Sequence, residues 1–299
     1  MSPRPARALF TGGLAVLLVI GLALLLPRLL LPGDPPAVRS DGQPALPTAP
    51  PSAPGERARL GLHTGLPLYR PLGIDVEAMA RGQGEVPWQR RALEKSHALV
   101  PLDTLSPTIG LVPGDPPVDP LEGLDRLAVI QPRALSPADN VALDEWVKAG
   151  GQLLLVLDPM LTGEYDLPLG DPRHPNSVAL IPPVVERWGL QIVYDETQES
   201  GPRFASHEGG TIPLALAGEV RALRGRDKGC TFAASRALAR CRVGEGSVTV
   251  LADAAVFEHE SLAAEAGQGR SAIGALVDYA FASGKGGDRA GKPRGGVGE

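Results

Sequence analysis

The longest run of apolar residues lies near the start of the chain. Residues 8–26 contain no charged side chain, and Thr11 is their only polar one. As an α-helix this run would be about 28 Å long, close to the thickness of the hydrocarbon core of a bilayer. Arg4 and Arg7 precede the run and Pro27-Arg28 follows it. The positive-inside rule therefore predicts a cytoplasmic N-terminus and a chain that continues across the membrane.

Two interpretations of this segment stay open. An uncleaved transmembrane anchor is favoured, because a signal peptide has an apolar region of only about 7–15 residues followed by a small-x-small cleavage site. A cleaved signal peptide is the alternative. Both interpretations place the rest of the chain on the far side of the membrane. We therefore expect a single-pass inner-membrane protein with a periplasmic, extracytoplasmic domain.

The composition then divides the chain into four parts. Residues 1–31 hold the predicted anchor. Residues 32–56 include eight prolines and show no hydrophobic period, which predicts an extended linker. Residues 283–299 are rich in Gly, Lys and Arg and are predicted to be a disordered tail. Residues 57–282 remain as one α/β domain.

The clearest pattern inside the domain is a strand, a helix and a second strand. Residues 127–130 are a short apolar strand, and Ser136-Pro137 has the residue types of a helix N-cap and first turn. Asp139 lies three residues after the cap, and Gly150 supplies the positive φ that ends many helices. Residues 153–157 are then entirely apolar, which is typical of a parallel strand buried on both faces. The pattern predicts a βαβ unit.

The remaining pattern is weaker and becomes richer in strands toward the C-terminus. A second helix and strand are predicted at residues 182–188 and 190–194, with Gly189 between them. Later strands are predicted at 219–223, 238–243 and 247–252, a hairpin turn at 244–246, and a closing helix at 271–281. The domain is thus predicted to combine a parallel sheet with a β-rich C-terminal part.

Three segments resemble a known family. Residues 127–159 (LAVIQPRALSPADNVALDEWVKAGGQLLLVLDP) resemble the signature of the gliding-motility-type auxiliary components of ABC transporters. That signature has a strand ending in a Pro-containing turn, then LS-x-x-(D/E), ALDE(Y/W), GG and an apolar strand ending in DP. Residues 184–196 resemble the Leu-x-x-Trp-Gly-Leu segment of this family, and residues 244–257 resemble its closing G-x-G-x-V-x-V-x-x-D segment.

The resemblance implies a fold and a role. The fold would be a parallel-sheet flavodoxin/class I amidotransferase-like domain, preceded here by one transmembrane helix. The role would be a membrane-anchored, non-enzymatic extracytoplasmic accessory domain of an ABC-type transport or envelope-remodelling system. Its partners would be ABC permease and ATPase subunits, with the lipid bilayer held through residues 8–26. Some family members carry a second, C-terminal transmembrane helix, and residues 283–299 contain no such apolar segment.

Motifs for enzymatic chemistry are missing from the sequence. It contains no G-x-S-x-G or G-x-C-x-G elbow, no Walker A motif, no G-x-G-x-x-G and no histidines at metal-ligand spacing. The run Glu258-His259-Glu260 is expected to be a solvated helix face. We therefore predict no catalytic residue, no metal and no cofactor, and the net charge of -5 gives no reason to expect nucleic acid. The alternatives are an amidotransferase-like hydrolase with an unrecognised active site and a structural envelope protein.

Two carboxylates and one histidine are the candidate ligand-binding residues. Asp158 and Asp253 each follow an apolar strand, so both are expected at the C-terminal edge of the sheet, where ligands bind in α/β proteins. A first strand is predicted at residues 58–63, and His63 at its end could join them. The alternative is that these side chains only cap the turns that follow, and Asp158 before Pro159 suits that role.

The two cysteines of the chain also allow two interpretations. Cys230 and Cys241 both belong to the part predicted to be exported, where a disulfide is favoured by the oxidising compartment. The alternative is a pair of free, buried thiols.

Overall fold

The computed structural model describes most of the predicted domain. It covers residues 57–69, 72, 77, 81, 85–110, 114–168, 170–225 and 229–282. The chain divides into residues 1–50 and residues 51–299, and every described residue belongs to the second part. The predicted anchor, linker and tail lie outside the described residues. Within the described ranges, no helix is long and apolar enough to span a bilayer.

Eleven strands and six helices are found in these ranges. The strands are β1 (Ala58–Thr64), β2 (His97–Pro101), β3 (Arg126–Ile130), β4 (Gln152–Val156), β5 (Leu190–Val193), β6 (Arg203–His207), β7 (Gly210–Leu214), β8 (Glu219–Ala222), β9 (Cys230–Ala233), β10 (Leu238–Val243) and β11 (Gly246–Leu251). The helices are α1 (Trp88–Glu94), α2 (Pro137–Lys148), α3 (Pro183–Arg187), α4 (Ala255–Glu258), α5 (Glu260–Gly267) and α6 (Ala272–Ala280).

A seven-stranded mixed sheet is the framework of the domain. Its strand order is β2-β1-β3-β4-β11-β10-β9. The first five strands in this order are parallel, whereas β10 is antiparallel to β11 and β9 is antiparallel to β10. Two further pairs, β5 with β8 and β6 with β7, form separate two-stranded antiparallel sheets.

Helices and the small sheets cover both faces of the main sheet. One core contains Leu154 and Val156 of β4 together with residues of α4, α5, α6 and the β6–β7 pair. The other contains Leu153 and Leu155 of β4 together with residues of α2, α3 and the β5–β8 pair. Because successive side chains of a strand point to opposite faces, the apolar run of β4 supplies both cores. This explains why the strand has no hydrophobic alternation.

The central βαβ unit is confirmed. The Ser136 hydroxyl accepts from the Asp139 amide at 3.0 Å, and the Asp139 carboxylate accepts from the Ser136 amide at 3.0 Å, so a full capping box begins α2. Gly150 has φ +122° at the end of the helix, as predicted. Gly151 is needed for a different reason, because a Cβ there would lie 2.4 Å from the Trp146 indole.

The predicted flavodoxin/class I amidotransferase-like parallel sheet is wrong. The short turn at residues 244–246 returns the chain at once, and such a turn can only join antiparallel strands, so β10 and then β9 make the sheet mixed. The second predicted βαβ unit is also not part of this sheet. Its strand, β5, pairs with β8 alone. Two of its four residues, Ile192 and Val193, are only half-buried, so β5 lacks the burial on both faces of a central strand.

Candidate functional site

Asp158 and Asp253 lie side by side at one edge of the sheet. We call this edge, which carries the residues directly after Thr64, Ile130, Val156 and Leu251, the crest. The register pairs Val156 with Leu251, and two more residues along each strand bring the chain to Asp158 and Asp253. Both are almost completely buried, with 0% and 1% of their surface exposed.

All four oxygens of these two carboxyl groups are occupied by backbone amides. Asp158 Oδ1 accepts from the amide of Met160 at 2.8 Å, and Oδ2 accepts from that of Ala254 at 2.7 Å. Asp253 accepts from the amides of Ala255 and Ala215, each at 2.7 Å. The two side chains therefore tie together the segments that follow β4, β7 and β11. This is the capping role, and burial closes both carboxyl groups to a ligand arriving from solvent.

Burial is the main cause of the raised pKa values of this pair. Burial raises the pKa of Asp158 to about 7, against two backbone hydrogen bonds that lower it and with the charge of Glu258 raising it further. Burial also raises the pKa of Asp253 well above its ordinary value, and the neighbouring Asp158 charge adds to this. Two like charges in a dry site cannot both be ionised cheaply, so at neutral pH the pair retains a proton.

Glu258 of α4 adds a second connection between the same segments. Its Oε1 accepts from the Tyr165 hydroxyl at 2.5 Å, and its Oε2 accepts from the Thr162 amide at 3.0 Å. Thr162 Oγ1 also lies 2.9 Å from His259 Nε2. The expectation of a solvated face at residues 258–260 is therefore wrong for Glu258. Within the described ranges, no group of His, Cys, Asp and Glu is arranged to hold a metal ion.

His63 does not join the two aspartates. The strand order places β3 between β1, which carries His63, and β4, which leads to Asp158. The register aligns His63 with Val129 and Val129 with Leu155, three residues before Asp158. Neighbouring strands are about 4.8 Å apart, so two strand spacings separate His63 from the pair. Its Nδ1 instead lies 3.0 Å from the carbonyl oxygen of Leu102.

A long segment after β4, residues 158–179, covers the crest, and we call it the crest loop. Its ends meet, because the amide of Ala179 donates to the carbonyl of Asp158 at 2.8 Å. A second hydrogen bond, from the Leu161 amide to the Ser177 carbonyl at 2.9 Å, joins the two arms of the loop just beyond its base. Loops of this length without secondary structure are commonly functional. The loop is held in place at Asp158 and, through Thr162 and Tyr165, at Glu258.

Gln131, which the sequence analysis did not single out, holds this loop from below. It is fully buried at the end of β3 and has φ +42°, an uncommon conformation for a residue other than glycine. Its side-chain oxygen accepts from the Asp158 amide at 2.8 Å. Its side-chain nitrogen donates to the carbonyls of Asp158 and Asn176, both at 3.1 Å. Strained backbone conformations of this kind cluster at functional sites.

An open crevice lies at the crest beside β1. The chain passes from β1 to β2 on one side and then to β3 on the other, and α1 and α2 lie on opposite faces of the sheet. Ligands of open α/β sheets bind at such a reversal of strand order, outside the carboxyl ends of the strands. The crevice has a volume of about 460 Å³ and is bounded by the ends of β1 and β2, by Arg133 and by Pro172-Arg173 of the crest loop.

The floor of the crevice depends on a glycine. Gly65 follows β1, and a Cβ at this position would lie 2.3 Å from the carbonyl oxygen of Gln131. Only glycine allows the backbones after β1 and β3 to approach this closely. The Arg133 side chain crosses the same point, with its Cγ 3.4 Å from where that Cβ would be. The sequence analysis missed Arg133, although its place two residues after Gln131 at a strand end was a usable signal once the strand order was known.

The cysteines lie at the opposite side of the sheet from β2. Cys230 and Cys241 are directly opposite each other in β9 and β10 and form a disulfide, with an S–S distance of 2.03 Å. The bond fixes the edge strand β9 to its neighbour β10. It is remote in strand order from the crevice, so its contribution is to the framework.

No protein-family model matches the chain, and no curated protein matches it either. Several solved structures are similar over part of their length. The exo-β-1,4-mannosidase Op5Man5 from Opitutaceae bacterium strain TAV5 is 14% identical, with a TM-score of 0.43, over 76% of this chain and 36% of that one. A cold-adapted β-galactosidase from Rahnella sp. R3 is 11% identical, with a TM-score of 0.38, over 66% of this chain and 29% of that one.

A β-galactosidase from Bacillus circulans sp. alkalophilus is 8% identical, with a TM-score of 0.37, over 66% of this chain and 28% of that one. The chain thus spans about a third of the length of these structures or less. Likenesses at these TM-scores carry no conclusion about the activity of this chain.

Proposed function

We propose that the protein is a membrane-anchored, non-enzymatic, extracytoplasmic domain that binds a ligand or partner for an ABC-type transport or envelope-remodelling system. The binding role rests on a difference between two parts of the crest, the buried aspartates and the open crevice. The buried carboxyl groups of Asp158 and Asp253 use all four oxygens on backbone amides. The crevice at the same crest, beside β1, is open and carries charged side chains on its walls.

Three features of the sequence support the location and the partner. The apolar segment 8–26 is long enough to span a bilayer, and the proline-rich residues 32–56 would let the domain stand away from it. The disulfide between Cys230 and Cys241 suits an oxidising compartment. The resemblance of residues 127–159 to the auxiliary components of ABC transporters names the permease and its ATPase as partners.

The test is purification of the full-length protein from native membranes in a mild detergent. We expect a multi-span permease and its ATPase to co-purify. Deleting residues 32–54 should impair the function of that complex and leave the fold intact, because this proline-rich stretch has no hydrophobic period and is not expected to supply core residues. A matched control replaces the same residues with a Gly/Ser spacer of equal length, which should restore function by restoring reach.

Two results would count against the proposal. One is a complex that contains neither a permease nor an ATPase. The other is hydrolysis of amide or ester substrates by the purified protein, abolished by substitutions at the crest. The second result would establish a hydrolase in place of an accessory domain.

A further inference from the structure

The crevice carries two charged side chains that the described residues leave unpaired. The Arg133 guanidinium makes no hydrogen bond or ion pair with any described residue, and neither does the Asp103 carboxylate. Arg173 differs, because Asp171 accepts from its Nε at 3.0 Å and from its Nη2 at 2.7 Å. The charge of Arg173 is thereby balanced within the loop. Among the described residues, the crevice therefore offers one available cation and one available anion.

The rest of the wall is mixed, and leucine and proline residues form its apolar part. Leu62 and Leu66 near the end of β1, Pro101 and Leu102 at the end of β2, and Pro172 of the crest loop contribute to it. The volume of about 460 Å³ lies within the range of roughly 300–1,000 Å³ that is typical of small-molecule sites. A few placed charges in an apolar cleft are how such sites orient a ligand.

This combination of charges discriminates between ligand classes. A ligand with only negative charge would bind Arg133 but be repelled by Asp103. A ligand with only positive charge would bind Asp103 but be repelled by Arg133. A molecule with both a carboxylate and an ammonium group satisfies both side chains, and an apolar side chain on it would contact the leucine and proline wall.

We propose that the crevice binds a small zwitterion with an apolar side chain, of the class of free amino acids and short peptides. Arg133 would bind its carboxylate, which a guanidinium can hold through two parallel hydrogen bonds, and Asp103 would bind its ammonium group. This inference deepens the proposed binding role and rests on it.

The test is isothermal titration calorimetry of the full-length protein in detergent with four probes. L-leucine and L-leucyl-L-alanine carry both charges, L-leucinamide carries only the ammonium, and 4-methylpentanoate carries only the carboxylate. We expect at least one zwitterion to bind, and each singly charged analogue to bind about tenfold more weakly or worse, as expected when one charged partner is lost. Equal binding of all four probes, or no binding of either zwitterion, would overturn the inference.

Variants then assign the two charges. Arg133→Gln should reduce the affinity for L-leucine by about tenfold or more and should raise that for L-leucinamide, because the repelling charge is gone. Asp103→Asn should reduce the affinity for L-leucine and raise that for 4-methylpentanoate for the same reason. Arg203→Gln is the matched control, because Arg203 is exposed on β6 and does not line the crevice. Equal losses in the control and in Arg133→Gln would refute the assignment.

A negative result in this measurement can be distinguished from a failure of the proposed function. Zwitterion binding needs no permease, and co-purification with a permease needs no zwitterion. A protein that binds the permease but neither zwitterion would keep its accessory role and lose only the ligand class.

Discussion

The contribution of Asp158 to the stability of the domain should fall as the pH rises toward neutrality. Burial raises the pKa of this carboxyl group from 3.8 in the unfolded chain to about 7 in the fold. Between these values the folded protein keeps a proton that the unfolded chain has released, so raising the pH favours unfolding. The contribution is fully present below 3.8 and is lost as the pH rises through about 7.

The size of the effect follows from the two pKa values. A difference of 7 − 3.8, or about 3 pKa units, corresponds to roughly 4 kcal/mol over the whole range. From about pH 5 to about pH 8 the same relation gives a loss of roughly 2–3 kcal/mol. His97 and His207 work in the opposite direction, because burial lowers their pKa values and favours their neutral forms. The comparison must therefore be made between variants and not on the wild type alone.

The assay is urea unfolding of the full-length protein at a series of pH values, followed by tryptophan fluorescence. Asp158→Asn cannot ionise, so the pH dependence of its unfolding free energy should lose the part that Asp158 supplies. Its stability should also drop by roughly 0.5–2 kcal/mol at every pH, because an amide cannot accept two backbone hydrogen bonds at the two positions of the carboxyl oxygens.

The control for this experiment is Asp125→Asn. Asp125 is exposed, and its side chain makes no hydrogen bond or ion pair with the described residues. This variant should reproduce the wild-type curve. If the curves of wild type and Asp158→Asn are parallel between about pH 5 and about pH 8, the linkage between Asp158 and folding is refuted.

Four further predictions concern the framework. Asp139→Ala should destabilise the protein by roughly 2–4 kcal/mol, because it removes the capping box and leaves buried amides unsatisfied, and the loss should shrink at low pH because hydrogen bonds hold the pKa of Asp139 below its usual range. Trp146→Ala should cost roughly 3–5 kcal/mol in thermal or urea melts. Gly151→Ala should also be destabilising, but less so beside Trp146→Ala, because the clash with the indole is then gone. The Cys230–Cys241 bond should contribute about 2–3 kcal/mol on the chain-entropy model, and two reactive thiols in the unreduced, denatured protein would contradict it.

Local features of the fold could be predicted because their causes are local. The capping box at Ser136 and Asp139 needs only residues three apart, and Gly150 ends α2 through its own backbone conformation. The turn at residues 244–246 and the hairpin it joins were predicted for the same reason. Patterns of this kind fix where elements begin and end.

The arrangement of the strands could not be predicted in the same way. The edge of β4 pairs with β11 and not with β5, although β11 is much further from β4 in sequence. The pattern of polar and apolar residues within β5 does not indicate which strand pairs with β4. The crevice could not be predicted from the sequence for the same reason, because the strand order is what brings Arg133 and Asp103 to one cleft.

The aspartates illustrate a middle case. Their place at the ends of apolar strands was readable, and the register confirms that those two strand ends are adjacent. The hydrogen-bond donors to their oxygens could not be predicted, because the amides of Ala215 and Ala254 belong to segments that are distant in sequence from the aspartates they contact.

The closed base of the crest loop has a consequence for how this protein can change over evolution. Because the backbone bonds at Asp158 and Ala179 fix both ends, the outer part of the loop can vary in length without altering the spacing of the strands beneath it. Gly170 lies in this outer part and is exposed. Insertions there would cost mainly chain entropy. Relatives could therefore remodel the wall of the crevice, and with it their ligand choice, while keeping the same sheet.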